Sequence, residues 1–272
     1  MKHVTILGID GAGKSTIIQK ILKNSSFSSK AYSIINSPAF HEGIDAPFKE
    51  LSRELEHLSN IADEMREVEL KAMALYLQVS LFGIVEKNFK ENWQPKLLIS
   101  QRHPVLDSVV YGDLYQKMIK GPINQKKVEE TLKKNLDQKS ASWDRILHWF
   151  ELLATRLELP LDFWNFPIHL KKIFEHKNQN LVLELMKHYQ TTLPDVVILI
   201  DINSELALSR VESRSGEKKE LHENTAYLKI LSENYHRLMS FLESSYPQIE
   251  RITLKADSTD YEKINWQKLF NL

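Results

Sequence analysis

Cysteine is absent from the 272 residues, which excludes disulfides, thiolate metal sites and a cysteine nucleophile, and agrees with a reducing compartment. Nor is there an excess of charge of either sign, since lysine plus arginine and aspartate plus glutamate number 36 each. A balanced chain has no global field with which to hold nucleic acid or an anionic membrane, so neither is an expected partner. No run of about 18 apolar residues suggests a membrane span. The first apolar strand begins at residue 2, which leaves no room for a cleavable signal peptide. The ten histidines show no H-x-x-x-H or comparable ligand spacing, so a zinc site is not expected. Internal repeats and low-complexity linkers are missing too. These absences leave a cytoplasmic protein, with enough chain for one domain over residues 1–272 that buries a full core.

What is present is concentrated at the start. Val4, Ile6 and Leu7 form an apolar run suited to a buried strand, and Ile17, Ile18, Ile21 and Leu22 recur at helical spacing. Between them lies Gly8-Ile9-Asp10-Gly11-Ala12-Gly13-Lys14-Ser15-Thr16, which fits the phosphate-binding pattern G-x-x-x-x-G-K-[ST] at every fixed position. Glycines let successive backbone N–H groups converge on a polyphosphate, and the helix amino end adds a favourable dipole. The expected ligands are ATP and Mg²⁺. Residues 8 and 10 to 16, namely Gly8, Asp10, Gly11, Ala12, Gly13, Lys14, Ser15 and Thr16, are the candidate nucleotide contacts. Lys14 is expected on the transferred phosphate and the Ser15 hydroxyl on the metal.

Further along, Ala31–Asn36, Lys96–Ser100, Asp195–Asp201 and Glu250–Lys255 read as strands alternating with helical segments. A helix is expected over Ile44–Asn60. A second, over Glu64–Phe89, is apolar around most of its circumference and belongs in a core or at a subunit interface, so a homodimer is one arrangement it allows. The alternation predicts an α/β fold of three layers: a mainly parallel five-stranded sheet, helices on both faces, and ligands at the carboxyl ends of the strands. Residues 113–192 break the alternation with helical material only, a helical insertion. Trp143, Ile146, Phe150, Leu153 and Leu157 share a helical face there. That face is either a satellite core or the underside of a substrate lid or partner surface.

The loop, with its interior aspartate, resembles that of the thymidylate kinase branch of the P-loop nucleoside and nucleotide kinases. Ser100-Gln-Arg-His103 with Asp107-Ser-Val-Val-Tyr111 resembles the family's Asp-Arg-Tyr/His element, and Ala207–Gly216 its arginine-bearing helix end and lid, here at about 211–223. Leu221–Asn224, Tyr227 and Tyr235 resemble the helix after the lid, and Lys255–Ser258 the segment beside adenine. The resemblance implies a P-loop kinase fold and transfer of the ATP γ-phosphate to a small acceptor, a nucleoside monophosphate or a related compound. Lys14, Arg102, Arg210 and Arg214 would be the catalytic residues, with Asp10 near the acceptor. There are departures. Gln101 stands where the family has an acid, and the arginines usual after the second strand and in the third helix are missing from Asn36–Gly43 and Ala74–Phe82. The alternatives are a hydroxyl-acceptor kinase using Glu42 or Asp45 as base, and a nucleotide-binding interaction protein with little turnover. Individual residues also keep two readings. Arg102 either clamps the acceptor or pairs with Asp107; Asp201 either orients Mg²⁺ through water or caps the next helix; Arg210 and Arg214 either close on phosphate or face solvent.

Overall fold

Lys2–Leu7 form β1, buried from His3 onward, as a strand in the middle of a parallel sheet must be. The structure, a computed structural model, describes residues 1–24, 31–213, 225–256, 264–266 and 268. The other strands are β2 (Tyr32–Asn36), β3 (Leu97–Gln101), β4 (Val196–Asp201) and β5 (Glu250–Lys255). They stand in the order β2-β3-β1-β4-β5, and every pair is parallel. The helices are α1 (Lys14–Asn24), α2 (Lys49–Met65), α3 (Val68–Val79), α4 (Phe82–Asn88), α5 (Pro104–Met118) and α6 (Gln125–Gln138). After them come α7 (Trp143–Arg156), α8 (Phe166–Ile173), α9 (Asn178–Tyr189), α10 (Ser204–Glu212) and α11 (Thr225–Ser245). The parallel five-stranded sheet expected from the alternation is therefore present, and β3 and β4 are covered on both faces like β1.

Two expected helices differ from what forms. The first starts at Lys49 instead of Ile44, because Pro47 turns the residue before it away from helical geometry. The second is broken into α3 and α4 at Ser80. There the Ser80 hydroxyl donates back to the Leu77 carbonyl at 2.7 Å, and the Trp149 indole N–H donates to the same carbonyl and to the Ser80 oxygen. Side chains inserted into the helical ladder are a recognised cause of such breaks. A π-helical turn, Phe89–Trp93, follows α4. The stretch Val68–Trp93 meets the length and composition of a membrane span, but 72% of its most apolar window is buried inside the fold.

The chain forms two compact units: residues 1–37, 86–110 and 192–272, which hold the sheet, and residues 38–85 with 111–191, which are helical. The helical unit has an aromatic core. Phe163 meets Trp143 and Phe150 edge-on, and Phe166 meets Phe150 in the same way. Tyr76 donates to or accepts from His188 Nδ1 at 2.6 Å, and Arg156 donates to the His188 carbonyl. Gly83 lies where α4 crosses the end of α9, and a methyl group there would run into the carbonyl oxygens of Tyr189 and Gln190. Backbone cannot move aside as a flexible side chain can. Gly83→Ala should therefore destabilise the protein by about 2–4 kcal/mol, beyond the ordinary cost of overpacking. Urea unfolding of the two proteins measures this, and equal midpoints would contradict it.

In the sheet unit, polar side chains line one face of β1 and β3. Thr5 and Ser100 are register partners whose hydroxyls bond to each other, and His3 Nε2 meets the Ser100 hydroxyl at 3.0 Å. The His103 ring lies 5.5 Å from that of His3 and bonds to the Thr192 carbonyl. Burial pushes both imidazoles down to about 3, with Lys90 adding to the effect at His3, and His3 adding to it at His103. Unfolded, each takes a proton near pH 6.5, so the unfolded state binds more protons between these values. Stability is then fully present above about pH 6.5 and falls as pH drops toward 3, by about 1.4 kcal/mol per pH unit for each histidine. Unfolding free energy measured from pH 7 to 4 should fall with pH, and His3→Gln should make the fall shallower. A flat profile would rule it out.

Candidate functional site

Strands β1 and β4 are neighbours, but β1 leads to β2 and β4 to β5, so their connections leave in opposite directions. A crevice opens at the carboxyl ends of such a pair, and the loop from Gly8 to Gly13 stands there between β1 and α1. Gly11 has a φ of +79°, and a methyl group on it would collide with the Ala207 backbone of α10. Only glycine fits both demands. Gly13, at φ +86°, turns the chain into α1, where the Ile17 N–H bonds to its carbonyl at 3.0 Å. Ala12 is buried, and its N–H closes the loop on the Ile9 carbonyl. Ser15 and Thr16 are exposed in the first turn of α1, where helical N–H groups have no partner within the helix.

Lys14 is 6% exposed, and its ammonium donates to the carbonyls of Gly8 and Ile9 at 3.0 Å each. The lysine thus braces the loop, a structural role that the motif alone does not reveal. Its ammonium is also 3.8 Å from the Asp10 carboxylate.

Arg102 follows directly on β3 with a φ of +68°. Left-handed backbone is costly for a residue with a side chain, and it persists where neighbours hold it in place. The holding groups are visible. The Arg102 N–H donates to the Ile6 carbonyl at 3.0 Å. Its Nη2 donates to Asp10 at 2.5 Å, and its Nη1 donates to Asp107 and to the Tyr235 hydroxyl at 3.2 Å each. Asp107 in turn accepts from the Tyr235 hydroxyl at 2.5 Å and from the His103 N–H at 2.7 Å. The pairing with Asp107 weighed from the sequence is present, and Asp10 lies on the same guanidinium. Tyr235, which the sequence placed only on the helix after the lid, is the member whose part in the cluster sequence reasoning did not assign. It reaches Asp107 from 128 residues away, and no local pattern signals such a contact.

Arg210 lies on α10 three residues beyond Ala207, so it shares a face with the residue that abuts the loop. Arg214, Lys218, Lys219 and most of the expected lid lie outside the described residues. Asp201 does not cap α10. Asn203 does so, accepting from the N–H groups of Glu205 and Leu206, while Asp201 meets His236 Nε2 at 3.2 Å.

Among the described residues, no three His, Cys, Asp or Glu side chains converge to hold a metal ion. A Mg²⁺ ion carried in on nucleotide phosphates takes one or two protein oxygens and keeps several waters. Ser15, exposed beside the loop, would supply such an oxygen.

No family model matches the chain, and no curated protein does. Among solved structures, it is similar to a deoxyadenosine kinase from M. mycoides holding the products dCMP and a flexible dCDP, with 16% identity and a TM-score of 0.48 over 99% of this chain and 100% of that one. The same enzyme with bound dATP gives 18% identity and a TM-score of 0.46, over 99% of each chain. Both scores are low.

Proposed function

We propose that this protein is an ATP- and Mg²⁺-dependent phosphotransferase acting on a nucleoside or nucleotide-like small acceptor. The observation that carries the reading is the loop itself. A complete phosphate-binding sequence stands at the carboxyl end of β1, opens onto a helix amino end, and has its lysine inside it. Polyphosphate entering the loop would draw Lys14 away from the Gly8 and Ile9 carbonyls onto its own oxygens. Mg²⁺, when bound, neutralises phosphate charge. Arg102 would face the acceptor and Arg210 would approach from α10. Transfer breaks the bond between the γ-phosphorus and the bridging oxygen and forms one to the acceptor oxygen, whose proton is released. Positioning and charge supply most of the rate in such reactions.

Charge supports one class of acceptor over another. Two carboxylates, Asp10 and Asp107, stand on the guanidinium of Arg102, and the Lys14 ammonium lies 3.8 Å from Asp10, so the cluster is formally neutral and brings no net positive charge to the acceptor side. A dianionic phosphate entering a partly dehydrated site needs cations around it, or its desolvation outweighs its binding. The cluster favours a neutral hydroxyl acceptor of nucleoside type over a monophosphate.

Lys14→Met keeps most of the length of the side chain and removes its charge. It should abolish transfer from labelled ATP while the protein still unfolds cooperatively, and wild-type turnover would remove the loop from the mechanism. Thymidine monophosphate should be a poor acceptor beside thymidine, deoxyadenosine and deoxycytidine. Steady-state kinetics at fixed ATP decide this, and a kcat/KM for thymidine monophosphate above about 10⁴ M⁻¹s⁻¹, the low end for typical enzymes, would restore the monophosphate reading.

A further inference from the structure

The guanidinium of Arg102 has two unlike edges. Nη1 points into a buried triangle made with Asp107, whose side chain is 14% exposed, and Tyr235, which is 1% exposed. Nη2 points to Asp10, whose side chain is 42% exposed. A single phenol closes the triangle, because the Tyr235 oxygen donates its hydrogen to Asp107 and accepts from Arg102. Asp107 is committed on both oxygens, to Arg102 and Tyr235 on one and to the His103 N–H on the other. The inner edge is therefore fixed by groups that water scarcely reaches, whereas the outer edge rests on a carboxylate that solvent reaches and an incoming group can replace.

We infer that Tyr235 is a positioning residue for Arg102, holding the guanidinium from behind so that its Nη2 edge is presented to the acceptor. This rests on the reading that Arg102 works on the acceptor side. Without the phenol, Nη1 loses one acceptor, and Asp107 loses the donor that orients it. The guanidinium is then free to swing onto Asp10 and satisfy itself there. The phenol acts at a distance from the chemistry, and ATP in the loop has no direct use for it.

Tyr235→Phe retains the ring and removes the oxygen. With thymidine, deoxyadenosine and deoxycytidine as acceptors, it should lower acceptor kcat/KM by about ten- to a hundred-fold, as expected for the loss of a hydrogen bond to a charged group. The KM for ATP should stay within about two-fold, and the melting temperature should change little. Asp107→Asn, which keeps the shape of the side chain, should reproduce the split. The ¹⁵N resonances of the Arg102 guanidinium, assigned with Arg102→Lys, should shift and exchange faster with solvent in Tyr235→Phe. An unchanged guanidinium spectrum overturns the inference. So does a parallel fall in the ATP and acceptor parameters with lost stability, since that describes a packing residue. If the wild-type protein phosphorylated no acceptor at all, the kinase reading would fail, and the guanidinium spectrum would still decide the role of Tyr235.

Discussion

Strands β1 and β3 end side by side because Thr5 pairs with Ser100 and Ile6 with Gln101, and the Arg102 N–H reaches back to the Ile6 carbonyl one step later. That register sets the level at which both strands release their chains. The loop departs from one and the left-handed Arg102 from the other, so that Asp10 meets the guanidinium. A slip of one residue would turn every β3 side chain to the opposite face of the sheet and carry Ser100 away from Thr5. The polar pairs inside the sheet unit thus help to fix the register. Buried hydroxyls and imidazoles are tolerable only where they find partners, and the found alignment partners Thr5, Ser100 and His3 together.

The same logic separates the two kinds of charged contact at the site. Lys14 and Arg102 share one carboxylate, that of Asp10, and each also holds oxygens of its own. Removing one member of such a set changes what the others do, because a buried charge left alone is costly. The loop and the strand end therefore form one electrostatic object, although they come from distant parts of the chain.

How much of this the sequence disclosed depends on the range of the interaction concerned. Strands were readable because apolar runs such as Val196–Asp201 are local, and each observed strand lies within one residue of its expected bounds. The loop was readable because its residues are consecutive. The break at Ser80 was not, since it depends on Trp149, 69 residues away. Pro47, by contrast, was a local signal for the start of α2 that the apolar spacing from Ile44 overrode. The cap on α10 was likewise open to a local reading, with Asn203 in the position such residues favour, yet Asp201 drew attention by ending a strand. Tyr235 could be placed on the helix after the lid, but its partner could not be read locally. Its hydroxyl matters only once Asp107 has been brought to it.

The strand order also has a consequence for synthesis. The glycine-rich loop ends at residue 16, but its floor is assembled from β3, β4 and the Ala207 turn of α10, which closes on Gly11. Nearly two hundred residues must be made after the loop before its last wall exists. Contacts so remote in sequence are slow to form, because loop closure must precede any gain from them. A nascent chain therefore carries the residues of the loop long before the loop can take its final shape.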